Sequence, residues 1–193
     1  MDAELFMFYK NSLSRDLCKE YSNLFKKRGD DKDELFKLCM ERQSIPYLAT
    51  SIYEGWGVSI DYLKEAYKRY LNGRYTLNAL SGGQSYSYQL WCDYRGSMKV
   101  KSATTHLLRC TGDAEIQKNT CPYIYISNKS NINIKPQGYN TVFIYLFDES
   151  IVNIDNTNEF TNFIVYKYSD NTKVIVKDDS LDNVKQFNKK IRL

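Results

Sequence analysis

The stretch Ser130-Asn131-Ile132-Asn133-Ile134 decides the fold, because its pattern returns four more times. The other copies are Gly96-Ser97-Met98-Lys99-Val100, Gly112-Asp113-Ala114-Glu115-Ile116, Ser150-Ile151-Val152-Asn153-Ile154 and Asn171-Thr172-Lys173-Val174-Ile175-Val176. Each opens on small polar turn residues and continues apolar, polar, apolar. That alternation marks a strand with one buried face. The first apolar residues after the turns are Met98, Ala114, Ile132, Val152 and Val174, spaced by 16, 18, 20 and 22 residues. Hairpins would need Asn-Gly or Asp-Gly reversals, and none stands between these strands. A repeat of about twenty residues carrying two short strands reads as a coil stacked on its predecessor.

The expected fold class is α+β: an N-terminal helical domain followed by a short single-chain parallel β-solenoid of about five coils. On this alignment Met98, Ala114, Ile132, Val152 and Val174 form one inward row, with Val100, Ile116, Ile134, Ile154 and Val176 forming a second. Cys92, Leu108, Ile126, Leu146 and Tyr168, six residues earlier, and Leu90, His106, Ile124, Ile144 and Tyr166, eight earlier, complete the interior. The columns between them point outward and hold Trp91, Tyr123, Tyr125, Phe143 and Tyr145. An exposed aromatic sheet face of that size marks a contact surface.

Upstream the periodicity is helical. Leu17, Tyr21, Leu24 and Phe25 share one helix face, which Lys26, Lys27 and Arg28 and then Gly29 close. Asp30-Asp31-Lys32-Asp33 opens the next helix, and Ile45-Pro46 ends it and starts another. Ser59 caps a last helix with Leu63, Ala66, Tyr67, Tyr70 and Leu71 on one stripe, ended by Asn72-Gly73. Trp56, between two glycines, reads as a core plug or a surface anchor for a partner. The expected division is 1–77 helical, 78–87 linker, 88–179 solenoid and 180–193 a C-terminal tail or cap.

Composition narrows the function classes. The 193 residues carry a net charge of +4 and 42% hydrophobic residues. Lys and Arg number 13 against 12 acids up to Gly83, and 14 against 11 after it. Neither half is a strong electrostatic magnet, which disfavours a DNA mimic and supports a nucleic-acid binder only weakly. Five scattered cysteines, with no metal-binding spacing, read as free thiols in a reducing cytoplasm. The start lacks a basic, apolar leader, and no long apolar run follows. A single histidine, His106, reads as a core residue with its polar needs met. No phosphate loop, dinucleotide fingerprint or hydrolase elbow is present. These absences point to a protein with no catalytic, cofactor or metal residues.

The helical region from Glu4 to Gly73, followed by coils such as Phe147-Asp148-Glu149-Ser150-Ile151-Val152 and Ser169-Asp170-Asn171-Thr172-Lys173-Val174, resembles helix-plus-β-solenoid small proteins of gut bacteria and their phages. The resemblance implies a host-directed interaction protein, acting in the host cytoplasm as an inhibitor of a defence system, or a part of the virion. The expected partner is a protein, docked on Trp91, Tyr123, Tyr125, Phe143, Tyr145 and Trp56. The alternatives are a symmetric homo-oligomer in an assembly and an RNA-binding inhibitor of an RNA-guided nuclease.

Overall fold

The computed structural model describes residues 3–17, 19–29, 31–39, 41, 44–66, 76–80, 87–101 and 103–189. The expected end of the last helix at Asn72-Gly73, its stripe members Tyr67, Tyr70 and Leu71, and Cys18 lie outside the described residues.

Among the described residues the front end forms five helices: α1 (Ala3–Leu13), α2 (Lys19–Arg28), α3 (Lys32–Cys39), α4 (Ile45–Tyr53) and α5 (Ile60–Ala66). Their apolar stripes meet in one core, where Leu5, Phe8, Phe25, Leu35, Phe36, Leu48 and Leu63 are fully buried. Each such side chain contributes roughly 1.5–3 kcal/mol. Local chemistry sets the ends. Asp31 Oδ1 accepts from the Asp33 and Glu34 amides and caps α3. Pro46 lies in the first turn of α4, where its missing N–H costs nothing. The Ser59 hydroxyl accepts from the Tyr62 amide and caps α5.

Twelve strands follow among the described residues. They are β1 (Thr76–Leu80), β2 (Ser87–Cys92), β3 (Arg95–Val100), β4 (Thr104–Leu108), β5 (Thr111–Ile116), β6 (Tyr123–Ser127), β7 (Asn131–Pro136), β8 (Asn140–Leu146), β9 (Ile151–Ile154), β10 (Thr161–Lys167), β11 (Lys173–Val176) and β12 (Val184–Asn188). They make two sheets. The larger runs β1-β2-β4-β6-β8-β10-β12, and the smaller runs β11-β9-β7-β5-β3. Every pairing is parallel except β1 with β2. The chain therefore alternates between the sheets and climbs one strand per circuit. This is a parallel β-solenoid of about five coils behind a helical domain. Ile124, Ile126, Ile132, Ile134, Ile144, Leu146, Val152 and Ile154 fill its interior.

The register corrects the expected alignment in two places. One true row is Met98–Ala114–Ile134–Ile154–Val176, and the row before it is Gly96–Gly112–Ile132–Val152–Val174. Met98 and Ala114 thus do not share a row with Ile132, Val152 and Val174. In the first two coils the leading position of the row is glycine, so the first apolar residue lies two places later. A slip of two keeps every side chain on its face, and the interior survives the error.

The second correction is a slip of one, which reverses faces. Trp91 pairs with Leu107, and Leu107 with Ile126, all on the interior column. Leu90, His106, Cys92 and Leu108 consequently stand on the outer side. The fifth coil is out by one as well: Val165 pairs with Ile144 and Lys167 with Leu146, so Tyr166 and Tyr168, expected inside, stand on the outer face. The corner is one residue longer in the third and fourth coils. There Asn128, Lys129 and Asp148 adopt positive φ, where the first two coils use Asp93, Arg109 and the glycines at 96 and 112.

Two further differences concern boundaries. Residues 76–80, read as the end of the helical domain and the start of a linker, form a strand paired antiparallel with β2. Residues 184–188, read as tail, add a parallel strand beside β10. On β12 the interior columns become polar, with Gln186 following Val165 and Asn188 following Lys167. The aliphatic core ends there.

Candidate functional site

The outer face of the larger sheet begins beneath the helices and ends in the open. On its first strands Leu90, Cys92 and Leu108 join the helical core, covered by Leu48, Ala49 and Ile52 of α4. His106 is buried at the same level, only 3% exposed. Neither ring nitrogen has a hydrogen-bond partner among the described residues. Burial alone pushes its pKa down to about 3, so the imidazole is neutral. This differs from a core histidine with its polar needs met.

Beyond His106 the same column turns aromatic. The register stacks His106, Tyr125, Tyr145, Tyr166 and Phe187 on successive strands. Ring centroids are separated by 4.7, 4.5, 5.2 and 5.6 Å, with planes 23°, 8°, 29° and 28° apart. The interval follows the spacing of about 4.8 Å between hydrogen-bonded strands. Parallel pairing is what permits this, because identical positions of successive coils fall directly over one another.

Two shorter stacks flank the ladder. Tyr123 lies on Phe143 at 4.9 Å and 9°. Phe147 lies on Tyr168 at 4.8 Å and 12°, while Tyr53 of α4 stacks on Phe147 at 4.6 Å. Helix α4 is thereby fastened to the rim of the face. A second fastening is ionic. Arg109 donates to Asp61 Oδ1 at 2.7 Å and to Asp93 Oδ1 at 2.8 Å, and Lys64 donates to Asp93 Oδ2. The Arg109 hydrogen bond holds the Asp61 carboxyl below the usual range. Burial pushes Asp93 upward, but Lys64 and Arg109 outweigh it.

Of the sequence-derived site residues, the structure brings together Tyr123, Tyr125, Phe143 and Tyr145. It adds Phe147, Tyr166 and Tyr168, the last two expected in the interior, and Phe187, expected in the tail. Trp91 is not on this face. It packs half-buried against the solenoid interior, 4.9 Å from the Tyr94 ring. Trp56 lies in the helical domain, stacked on Phe8 at 6.0 Å, with the Arg15 guanidinium 4.4 Å from its centroid and its N–H donated to Glu54. Packing takes up both tryptophans.

No protein family, curated protein or solved structure matches this chain. The surface itself therefore carries the reading. Its chemistry is that of phenol edges. Burial pushes the Tyr125 and Tyr145 hydroxyls up to about 12, so both stay protonated and can donate as well as accept.

The opposite face is different in kind. Lys99, Glu115, Lys135, Asp155 and Lys177 alternate in sign along adjacent strands of the smaller sheet. Lys135 pairs with Asp113 at 2.6 Å and Lys177 with Asp155 at 3.1 Å. Asn153 donates to Asn133, which donates to Asp113. A cleft of about 330 Å³ beside these groups is lined by Ile154, Ile175 and the same polar chains. These pairs neutralise much of this face.

Among the described residues no three His, Cys, Asp or Glu side chains gather into a metal-binding group. Cys39, Cys92 and Cys110 are buried, and burial raises the thiol pKa of each. No described helix is long and apolar enough to cross a membrane.

Proposed function

We propose that this protein is a non-catalytic interaction protein that docks a protein partner on the outer face of its larger sheet. The observation that carries the reading is the ladder geometry. Stacked rings hide their faces against one another and present edges and hydroxyls outward. A platform for single-stranded nucleic acid needs free ring faces for bases to lie on, and so does a sugar. Edges and protonated phenols instead suit a protein surface. Tyrosine supplies a large, rigid, amphipathic contact at low entropy cost. On the resemblance to proteins of gut bacteria and their phages, the proposed partner is a host protein.

The polar end of the solenoid interior also bears on this. Gln186 and Asn188 would stand unpaired if another coil of the same kind were stacked there. That weakens the reading as an end-to-end assembly unit and favours the lateral face.

The test is capture from host lysate with the immobilised protein, followed by mass spectrometry. Tyr123, at 39% exposure, and half-buried Tyr166 are replaced by serine, and folding is verified by circular dichroism. One discrete protein should be retained by the wild type and lost with the double variant. Equal retention by a folded variant would overturn the reading. Retention of RNA that resists 200 mM salt, roughly the level at which weak phosphate contacts dissolve, would replace it with the nucleic-acid alternative.

A further inference from the structure

The aromatic ladder stops at a sheet edge. β12 pairs with β10 on one side and with no described strand on the other. Its backbone groups on that side are open to an added strand. Three side chains of β12 and its last neighbour point to the outer face in alternation: Lys185, Phe187 and Lys189. Phe187 is the terminal ring, 5.6 Å from Tyr166 on its inner side and 45% exposed. The Lys189 ammonium stands 5.4 Å from the Tyr166 ring centroid, which keeps positive charge beside the ladder. The solenoid's ion pairs join Arg109, Lys129, Lys135 and Lys177 to carboxylates and leave Lys185 and Lys189 without one among the described residues.

We infer that β12 is a strand-addition site for an extended peptide with acidic, aromatic and acidic side chains at alternate positions. This rests on the protein-docking reading above and names how the partner engages. Main-chain hydrogen bonds to the β12 edge supply the common part of the affinity, and side chains on the outer face supply the choice. The aromatic residue continues the ladder over Phe187. The two carboxylates fall opposite Lys185 and Lys189. The pattern is symmetric, so it fits a parallel or an antiparallel strand.

Charge decides between occupants. A second copy pairing edge to edge would set Lys185 and Lys189 against the same lysines, and like charges directly opposite are destabilising. An acidic strand meets no such opposition. The lysines thus reject the protein's own edge and admit a partner of opposite sign.

The experiment uses the full chain and a short labelled peptide alternating glutamate, threonine, tyrosine, threonine and glutamate, followed by fluorescence anisotropy. Binding should be seen with this peptide. It should be lost when the two glutamates become lysines, and lost when the amides along both edges are N-methylated. The double variant Lys185→Glu, Lys189→Glu should reverse the preference and favour the lysine peptide by about tenfold, as expected when like charge is swapped for opposite. No binding at about 1 mM peptide, equal binding of the lysine peptide, or equal binding of the N-methylated peptide would each overturn the inference. If the peptide fails while lysate capture remains sensitive to Tyr123 and Tyr166, the docking face stands and strand addition alone falls. If the peptide binds while capture ignores those tyrosines, the edge site stands and the docking reading falls.

Discussion

Tyr125 lies on Tyr145 with ring centroids 4.5 Å apart and planes within 8°. It is also stacked on His106 at 4.7 Å, so both of its faces are covered. Phe187 has only one covered face. Replacing Tyr125 by alanine should therefore open a gap in the middle of the ladder and cost about 2–4 kcal/mol, in the range of large-to-small core changes. Replacing Phe187 by alanine removes an end ring and should cost less than about 1 kcal/mol. Urea unfolding of the two variants checks this. Equal costs would mean that the rings are independent surface groups.

The corner glycines make a sharper prediction. Gly112 has φ +137°, and a Cβ built there would lie 2.1 Å from the Gly96 carbonyl oxygen. The obstruction is backbone, with no flexible side chain to give way. Gly112→Ala should cost about 3 kcal/mol or more, since strain and collision act together. Gly55 also has positive φ, but a Cβ there meets nothing within 4 Å. Gly55→Ala should cost about 1 kcal/mol from the backbone alone. Thermal melts of the two variants separate these cases, and similar losses would show that the close approach at Gly112 relaxes freely.

These same glycines explain how far the sequence could be read. The alternation in Ile132-Asn133-Ile134 and its copies was legible because one face is buried and the other wet. The stripe Leu17, Tyr21, Leu24 and Phe25 was legible for the same reason. The row register was not, because Gly96 and Gly112 stand in the row of Ile132 without a side chain to mark it. The face of Trp91 was misjudged because the corner after it is one residue shorter than the corner after Ile126. β12 escaped notice because Gln186 and Asn188 break the apolar alternation at the end of the core. β1 escaped because its antiparallel pairing belongs to no repeat. Spacing places Tyr123, Tyr125, Phe143 and Tyr145 on the outer face; Tyr166 and Tyr168 need the true register, and Phe187 needs β12.

His106 predicts a pH dependence. Its folded pKa, about 3, lies below the ordinary 6.5. Below pH 6.5 the unfolded chain takes a proton that the folded protein refuses. Stability is then fully present above about pH 6.5 and falls as pH drops toward 3, by at most about 1.4 kcal/mol per unit. His106→Phe keeps a ring in the ladder and removes the titrating group together with two unpartnered nitrogens. Urea unfolding at pH 7 and pH 5 should show the wild type losing about 2 kcal/mol more than the variant. Parallel losses would show that the imidazole is solvated in the folded protein.

Arg109 allows backbone and charge to be separated at the seam between helices and solenoid. It adopts φ +55°, a conformation that costs a non-glycine residue about 1 kcal/mol. It holds that conformation while its guanidinium bridges Asp61 and Asp93. The side chain is 37% exposed, so screening limits the ion pairs to about 1 kcal/mol. Arg109→Ala loses the bridge and keeps the strain. Arg109→Gly loses the bridge and relieves the strain. Melting temperatures should therefore fall for alanine and stay near the wild type for glycine. Raising salt to about 1 M shrinks the screening length to about 3 Å, and this should lower the wild type toward the alanine variant. An alanine variant as stable as the glycine variant would show that the corner holds Arg109 without strain. A wild type indifferent to salt would show that the stacking of Tyr53 on Phe147 and the apolar cover of α4 hold the seam without help from charge.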